Sequence, residues 1–187
     1  MKNLILFIAI TFCTYSFGQK YVVTPKGLRN STDTAKSFVT IEIIGMDAFQ
    51  LYDSAIKYFS ENYKNPNEAI KARAIGEYLK IETIVPDFIK YYDAGVYVPI
   101  EAKYTTELRF KDGKVRYEIT SLEMKGISNG YPVIFAGGVL DGYIIYRNNG
   151  KLFREEAKLD MENFFNTKIE KLTKGLKGEN KIVVEEW

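Results

Sequence analysis

Histidine is absent from this chain of 187 residues, and its single cysteine, Cys13, lies among the first eighteen. Without an imidazole base or a thiol beyond Cys13, a Ser-His-Asp triad, a cysteine nucleophile and the usual His/Cys zinc sites are out of reach. One cysteine also makes no disulfide within the chain, so stability has to come from packing. The phosphate-cradling patterns GxxxxGK[ST] and GxGxxG are missing too. Charge of one sign is not in excess: the formal net charge is +2, or +1 without Lys2, which gives no overall pull towards nucleic acid or acidic membranes.

Leu4 to Cys13 form an apolar stretch too short for a comfortable membrane span. Lys2 precedes it, and Ser16 and Gly18 place small residues at −3 and −1 of a cleavage point before Gln19. Those features predict a secretory signal peptide over residues 1–18, cleaved after Gly18, and hence an exported periplasmic or secreted protein without a transmembrane segment in its mature chain. Phe12 stands where lipid attachment wants a small residue, which argues against anchoring through Cys13. Removing residues 1–18 leaves 169, enough for one domain with a real core.

Residues 19–37 are polar and turn-rich, which predicts a flexible leader. FVTIEII (38–44) is a β-branched run and predicts a strand. Asp47 then suits a helix N-cap, with Gln50 completing a capping box and Met46 and Leu51 placed as a staple. Ala48, Tyr52, Ala55, Ile56, Phe59 and Tyr63 make one stripe of that helix, and Asn65-Pro66-Asn67 stops it. Gly76-Glu77 predicts a two-residue turn that pairs Ala74 with Leu79 and puts Lys71, Arg73, Lys80 and Glu82 on one face. Asp112-Gly113 predicts a type I′ turn pairing Phe110–Val115, Leu108–Tyr117 and Thr106–Ile119, with Glu107, Arg109, Arg116 and Glu118 opposite. A three-residue loop there would pair Leu108 with Arg116 and mix the faces.

A second amphipathic helix is expected from about Phe153 to Lys174, with Ala157, Met161, Phe164, Ile169, Leu172 and Leu176 on one side and Gly175 or Gly178 as its cap. The order β-α-β-β-β-β-α then predicts an α+β fold: a two-layer antiparallel sheet with two helices on one face, in a single domain over 38–178. Aromatic and Gly-rich insertions fall near 86–102 and 126–147, with another strand around Tyr143 to Arg147, and 179–187 form a C-terminal tail.

The helix around LYDSAIKYFSENY, the strands AIKARAIGEYLKI and the hairpin YTTELRFKDGKVRYEITSLEM resemble a family of exported bacterial domains of unknown function with a TATA-binding-protein-like fold. The resemblance covers roughly residues 38–125, and the segments 86–102 and 126–147 depart from it. It implies that fold, and it implies neither an activity nor site residues. The namesake's DNA binding does not travel with the fold, and the neutral, exported chain argues against a nucleic-acid partner.

Two catalytic patterns match by letters. Ser54-Ala55-Ile56-Lys57 is an S-x-x-K, but it falls about two turns into the helix and lacks its S-D-N and K-T-G partners. Glu107 and Glu118 face each other as a glycosidase pair would, yet Arg109 and Arg116 beside them favour both charged forms, where a general acid needs one raised pKa. Aromatic residues are plentiful, with 14 Tyr and 12 Phe. Phe88, Tyr91, Tyr92, Tyr97, Tyr131, Phe135 and Tyr143 fall in connections beside the sheet, where recognition usually lives. The expected function is a non-enzymatic binding or envelope-associated module, using no cofactor or metal. Its contacts come from these rings and from the basic sheet residues Arg73, Lys80, Arg109 and Arg116, and its partner is an envelope glycan, peptide or protein. A carboxylate-dependent hydrolase of envelope polymers and a structural subunit of an envelope assembly are the alternatives.

Overall fold

In the computed structural model, which describes residues 18–179, the alternating and striped segments assemble into helices on one side of a mainly antiparallel sheet. β1 (Tyr21–Thr24) and β2 (Gly27–Asn30) make a hairpin, β3 (Phe38–Glu42) leads into α1 (Ala48–Asn62), and a single turn, α2 (Pro66–Ala69), precedes β4 (Ile70–Ala74) and β5 (Tyr78–Val85). Next come β6 (Lys90–Asp93), the long β7 (Val96–Lys111), β8 (Lys114–Gly126), β9 (Val133–Gly137), β10 (Tyr143–Arg147) and α3 (Glu155–Leu176). The main sheet runs β3-β8-β7-β5-β4, all antiparallel, with β6 added along β7. β3, α1, β4, β5, β7, β8 and α3 thus follow the expected β-α-β-β-β-β-α order. The signal peptide, apart from Gly18, and the last eight residues of the tail lie outside the described residues.

Local chemistry sets the ends of α1. The Asp47 carboxylate accepts the Gln50 N–H at 2.8 Å and the Gln50 side chain accepts the Asp47 N–H at 2.9 Å, so two otherwise orphaned donors are satisfied. Asp112, in the β7–β8 turn, accepts a third, from Ala48 N at 3.0 Å. That hairpin has the expected register, Phe110↔Val115, Leu108↔Tyr117 and Thr106↔Ile119. Its turn is not type I′, because Gly113 has a positive φ and Asp112 does not. Leu79, Ile81, Tyr104, Leu108, Val115 and Tyr117 line the helix-facing side of the sheet and share one core with Leu51, Tyr52, Ala55 and Phe59 of α1. On α3 the buried stripe passes through Phe165, fully enclosed, while the expected Phe164 is only half-buried. Gly178, at φ 71°, closes α3, and Gly175 lies inside it against Tyr58.

Three further expectations need correction. The expected leader contains a hairpin whose Tyr21, Val23 and Leu28 are buried in the core. The β4–β5 hairpin closes over three residues, Ile75-Gly76-Glu77, with Ala74 opposite Tyr78, rather than over two. Gly76 takes φ 75° beneath the ring of Phe49, a place where a Cβ would come within 3.1 Å of that ring. Finally, the 126–147 insertion holds a parallel pair, β9 with β10, in an otherwise antiparallel fold. Its return segment is short but sufficient, since retracing four strand residues needs only about 13 Å of chain.

Gly142, in that return, could not carry a side chain in place: a Cβ there would lie 2.6 Å from the Pro132 carbonyl oxygen, the acceptor of the Tyr143 N–H at 2.8 Å. Gly142→Ala is expected to cost about 1–3 kcal/mol as an overpacking substitution. Urea denaturation checks this, and an unchanged midpoint would remove the close approach from the account.

Candidate functional site

The structure sorts the expected aromatic residues by depth. Phe88 is buried edge-on to Phe164 and Phe165, with ring centroids 4.8 and 5.7 Å away. Tyr91 is buried and donates its hydroxyl to the Ile144 carbonyl at 3.2 Å. Tyr143 packs on Tyr91 and accepts a hydrogen bond from the Asn129 amide at 2.8 Å. Tyr131 is half-buried and donates to the Leu140 carbonyl, and Phe135, also half-buried, covers Gly27. These five rings are engaged in packing. Tyr92 and Tyr97 differ: each is 41% exposed, and their rings lie 5.7 Å apart at 58° on neighbouring strands β6 and β7.

The basic residues do not form a free patch. Register places Arg73 opposite Leu79, on the helix-facing side at the open edge, and so apart from Lys80. Lys80 and Arg109 both meet Glu107, at 3.9 and 3.7 Å, and Arg116 meets Glu118 at 2.5 Å. Arg109 also covers Tyr78, and Arg116 covers Phe38 with its guanidinium 3.9 Å from the ring centre. Glu107 and Glu118 stand opposite each other as expected, held in these ion pairs on an open sheet face. Ser54 falls mid-way along α1, and Lys57 is drawn to Glu61 at 3.8 Å, so the S-x-x-K letters form no nucleophile site. Among the described residues no group of His, Cys, Asp and Glu is placed to hold a metal ion.

Tyr92 and Tyr97 wall a cleft of about 830 Å3 between the β6–β7 hairpin and α3. Phe88 and Phe164 form its floor. The opposite wall is helical: Asp160, Asn163, Thr167 and Lys171 recur at three- and four-residue spacing and therefore share a face, with Lys168 beside them. The two walls are tied together where the Asp160 carboxylate accepts the Lys90 N–H at 2.9 Å. Asp87, at φ 55°, adopts a left-handed conformation and presents its carboxylate to the Tyr97 hydroxyl. Its acceptance of that proton, with a smaller contribution from burial, pushes Tyr97 up to about 12. Burial, with Lys171 nearby, pulls Lys168 below the ordinary lysine value.

Sequence reasoning found the two exposed tyrosines and missed the helical wall. Its signal was a polar stripe flanking the apolar one, with Phe164 at the boundary. A larger cavity, about 1010 Å3, opens along β3 and the last turns of α3, but no aromatic side chain lines it, and its rim includes Gly18 and Glu179, the two ends of the described chain.

Among solved structures, the fold is similar to a DUF4468 family protein from Bacteroides ovatus, at 17% identity and a TM-score of 0.56 over 74% of this chain and 84% of that one. It is also similar to a TBP-like protein from Parabacteroides distasonis, at 11% identity and a TM-score of 0.50 over 75% of this chain and 90% of that one. At these identities the likeness is one of fold, and it bears out the TBP-like α+β architecture expected from the three resembling segments. No family model matches the sequence, and no curated protein does.

Proposed function

We propose that this protein is an exported, non-enzymatic binding module that takes a saccharide of the cell envelope into the cleft between the β6–β7 hairpin and α3. The observation carrying this is the pair of exposed, mutually packed rings of Tyr92 and Tyr97 over a cleft whose other wall offers carboxylate, amide, hydroxyl and ammonium groups. Such an apolar surface with a few convergent polar groups suits a ligand that has one flat C–H face and many hydroxyls. Strand addition by a peptide fits poorly here, because Asp160 already takes the outward N–H of Lys90 on β6. The open edge at β4 is blunted by a bulge at Lys71 and by exposed Lys71 and Arg73, devices that discourage pairing with another chain.

Calorimetric titration of the mature chain with neutral and acidic oligosaccharides tests the proposal. Tyr92→Ala and Tyr97→Ala are each expected to weaken binding about fivefold, or about 1 kcal/mol, with little change in melting temperature. Saccharide binding that survives the double substitution would move the site elsewhere.

A further inference from the structure

Lys90, Lys168 and Lys171 border the cleft, and none of them lies within ion-pair distance of a carboxylate among the described residues, although lysines elsewhere on the surface do. The two carboxylates of the cleft are already engaged, Asp87 by the Tyr97 hydroxyl and Asp160 by the Lys90 N–H. Along α3, Glu162 is taken by Lys158 at 2.7 Å and by the Val23 N–H at 2.8 Å, and Glu170, between Lys168 and Lys171 in sequence, is not within ion-pair distance of either. Lys168 is half-buried, with its ammonium 5.4 Å from the centre of the Phe164 ring, and Lys171 sits one helical turn on, on the same face. Two like charges are therefore held together beside the aromatic floor, and neither is in an ion pair with a carboxylate among the described residues.

Resting on the saccharide reading of the cleft, we infer that its ligand is an acidic saccharide, whose carboxylate lies between Lys168 and Lys171 while a sugar ring packs on Tyr92 and Tyr97. An anion there relieves both the repulsion between the two ammonium groups and the burial of Lys168, which is the sense in which the lowered affinity of Lys168 for its proton points. A neutral sugar leaves both uncompensated.

The test uses the mature chain with oligogalacturonate and oligomannuronate, each compared with its methyl ester, which keeps the ring and removes the charge. At low ionic strength at least one acid is expected to bind ten times or more tighter than its ester, with the gap narrowing as salt rises. Lys171→Gln, on an exposed residue, is expected to narrow the gap, and adding Lys168→Gln to close it by lowering affinity for the acid far more than affinity for the ester. Melting temperatures confirm that both variants fold, and Lys171→Gln with the salt series suffices if the double variant does not. Equal affinity for acid and ester, or a preference that survives the lysine substitutions, overturns the inference and leaves the saccharide reading standing. Failure of every acid and ester to bind overturns the inference, and failure of the neutral oligosaccharides as well removes the saccharide reading with it.

Discussion

Deleting residues 19–31 is expected to leave a chain that no longer unfolds cooperatively, because the β1–β2 hairpin is part of the core. Tyr21, Val23 and Leu28 are 1%, 2% and 7% exposed. At about 1.5–3 kcal/mol for each buried large side chain, their loss removes roughly 4.5–9 kcal/mol, close to the total stability of an ordinary domain of about 5–15 kcal/mol. Polar contacts add to this. The Asn166 side chain accepts the Tyr21 N–H at 2.8 Å and donates to the Tyr21 carbonyl at 3.0 Å, while Glu162 accepts the Val23 N–H. Side chains of α3 thereby stand in for a neighbouring strand along the free edge of β1. The Tyr21 hydroxyl donates towards the Tyr117 and Ser37 carbonyls, both at 3.1 Å, and its ring packs on Tyr117 and Phe165. Tyr21→Ala should cost about 3–5 kcal/mol, as for other large aromatic deletions. Tyr21→Phe, which removes only the hydroxyl, should cost about 1–2 kcal/mol. Urea titration reads both as lower midpoints with unchanged slope. A truncated chain that unfolds at the full-length midpoint would make the hairpin an appendage after all.

That hairpin also shows where sequence patterning runs out. Its strands are four residues each, too short for alternation to stand above the polar segment around them, and the Pro25-Lys26 turn between them looks like any surface loop. The β7–β8 hairpin was legible because long strands with one apolar face tolerate only one register. The β4–β5 hairpin was not, since one glycine serves equally in a two- or a three-residue turn. Two features sit with its register: Phe49 packing over Gly76, which is a tertiary contact, and an unpaired residue at Lys71. The cleft divides the same way. Tyr91 in and Tyr92 out is simple strand alternation in β6, once the Ala94-Gly95 turn is recognised. Its polar wall lies some seventy residues further along the chain, and no local pattern announces that it faces the tyrosines.

Raising the pH from 10 to 12 is expected to unfold the protein over a narrow interval. Tyr21, Tyr58, Tyr63, Tyr104 and Tyr117 all have their ionisation pushed upward, chiefly by burial, Tyr58 to about 12. For each, the folded-state value exceeds the unfolded value near 10. The stabilisation is therefore complete below pH 10 and is lost as the pH rises towards the folded-state value. Each strongly shifted group releases about 1.4 kcal/mol per pH unit in that window, so Tyr21, Tyr58, Tyr104 and Tyr117 together remove roughly 6 kcal/mol by pH 11, with Tyr63 acting in the same direction, comparable with the whole stability. Lys168 acts in the opposite sense, since its lowered value is a penalty that alkali relieves, but it is one group against five. Tyrosinate absorbance and circular dichroism should change together, with several tyrosines ionising in the same step as the loss of helix. Tyr97 supplies the internal control, because a carboxylate is the main cause of its upward shift and the ring itself is exposed. Asp87→Asn should let Tyr97 ionise earlier while leaving the alkaline midpoint where it was. If the midpoint moves with that substitution, or the fold persists beyond pH 12, burial of the tyrosine cluster is not what limits stability in alkali.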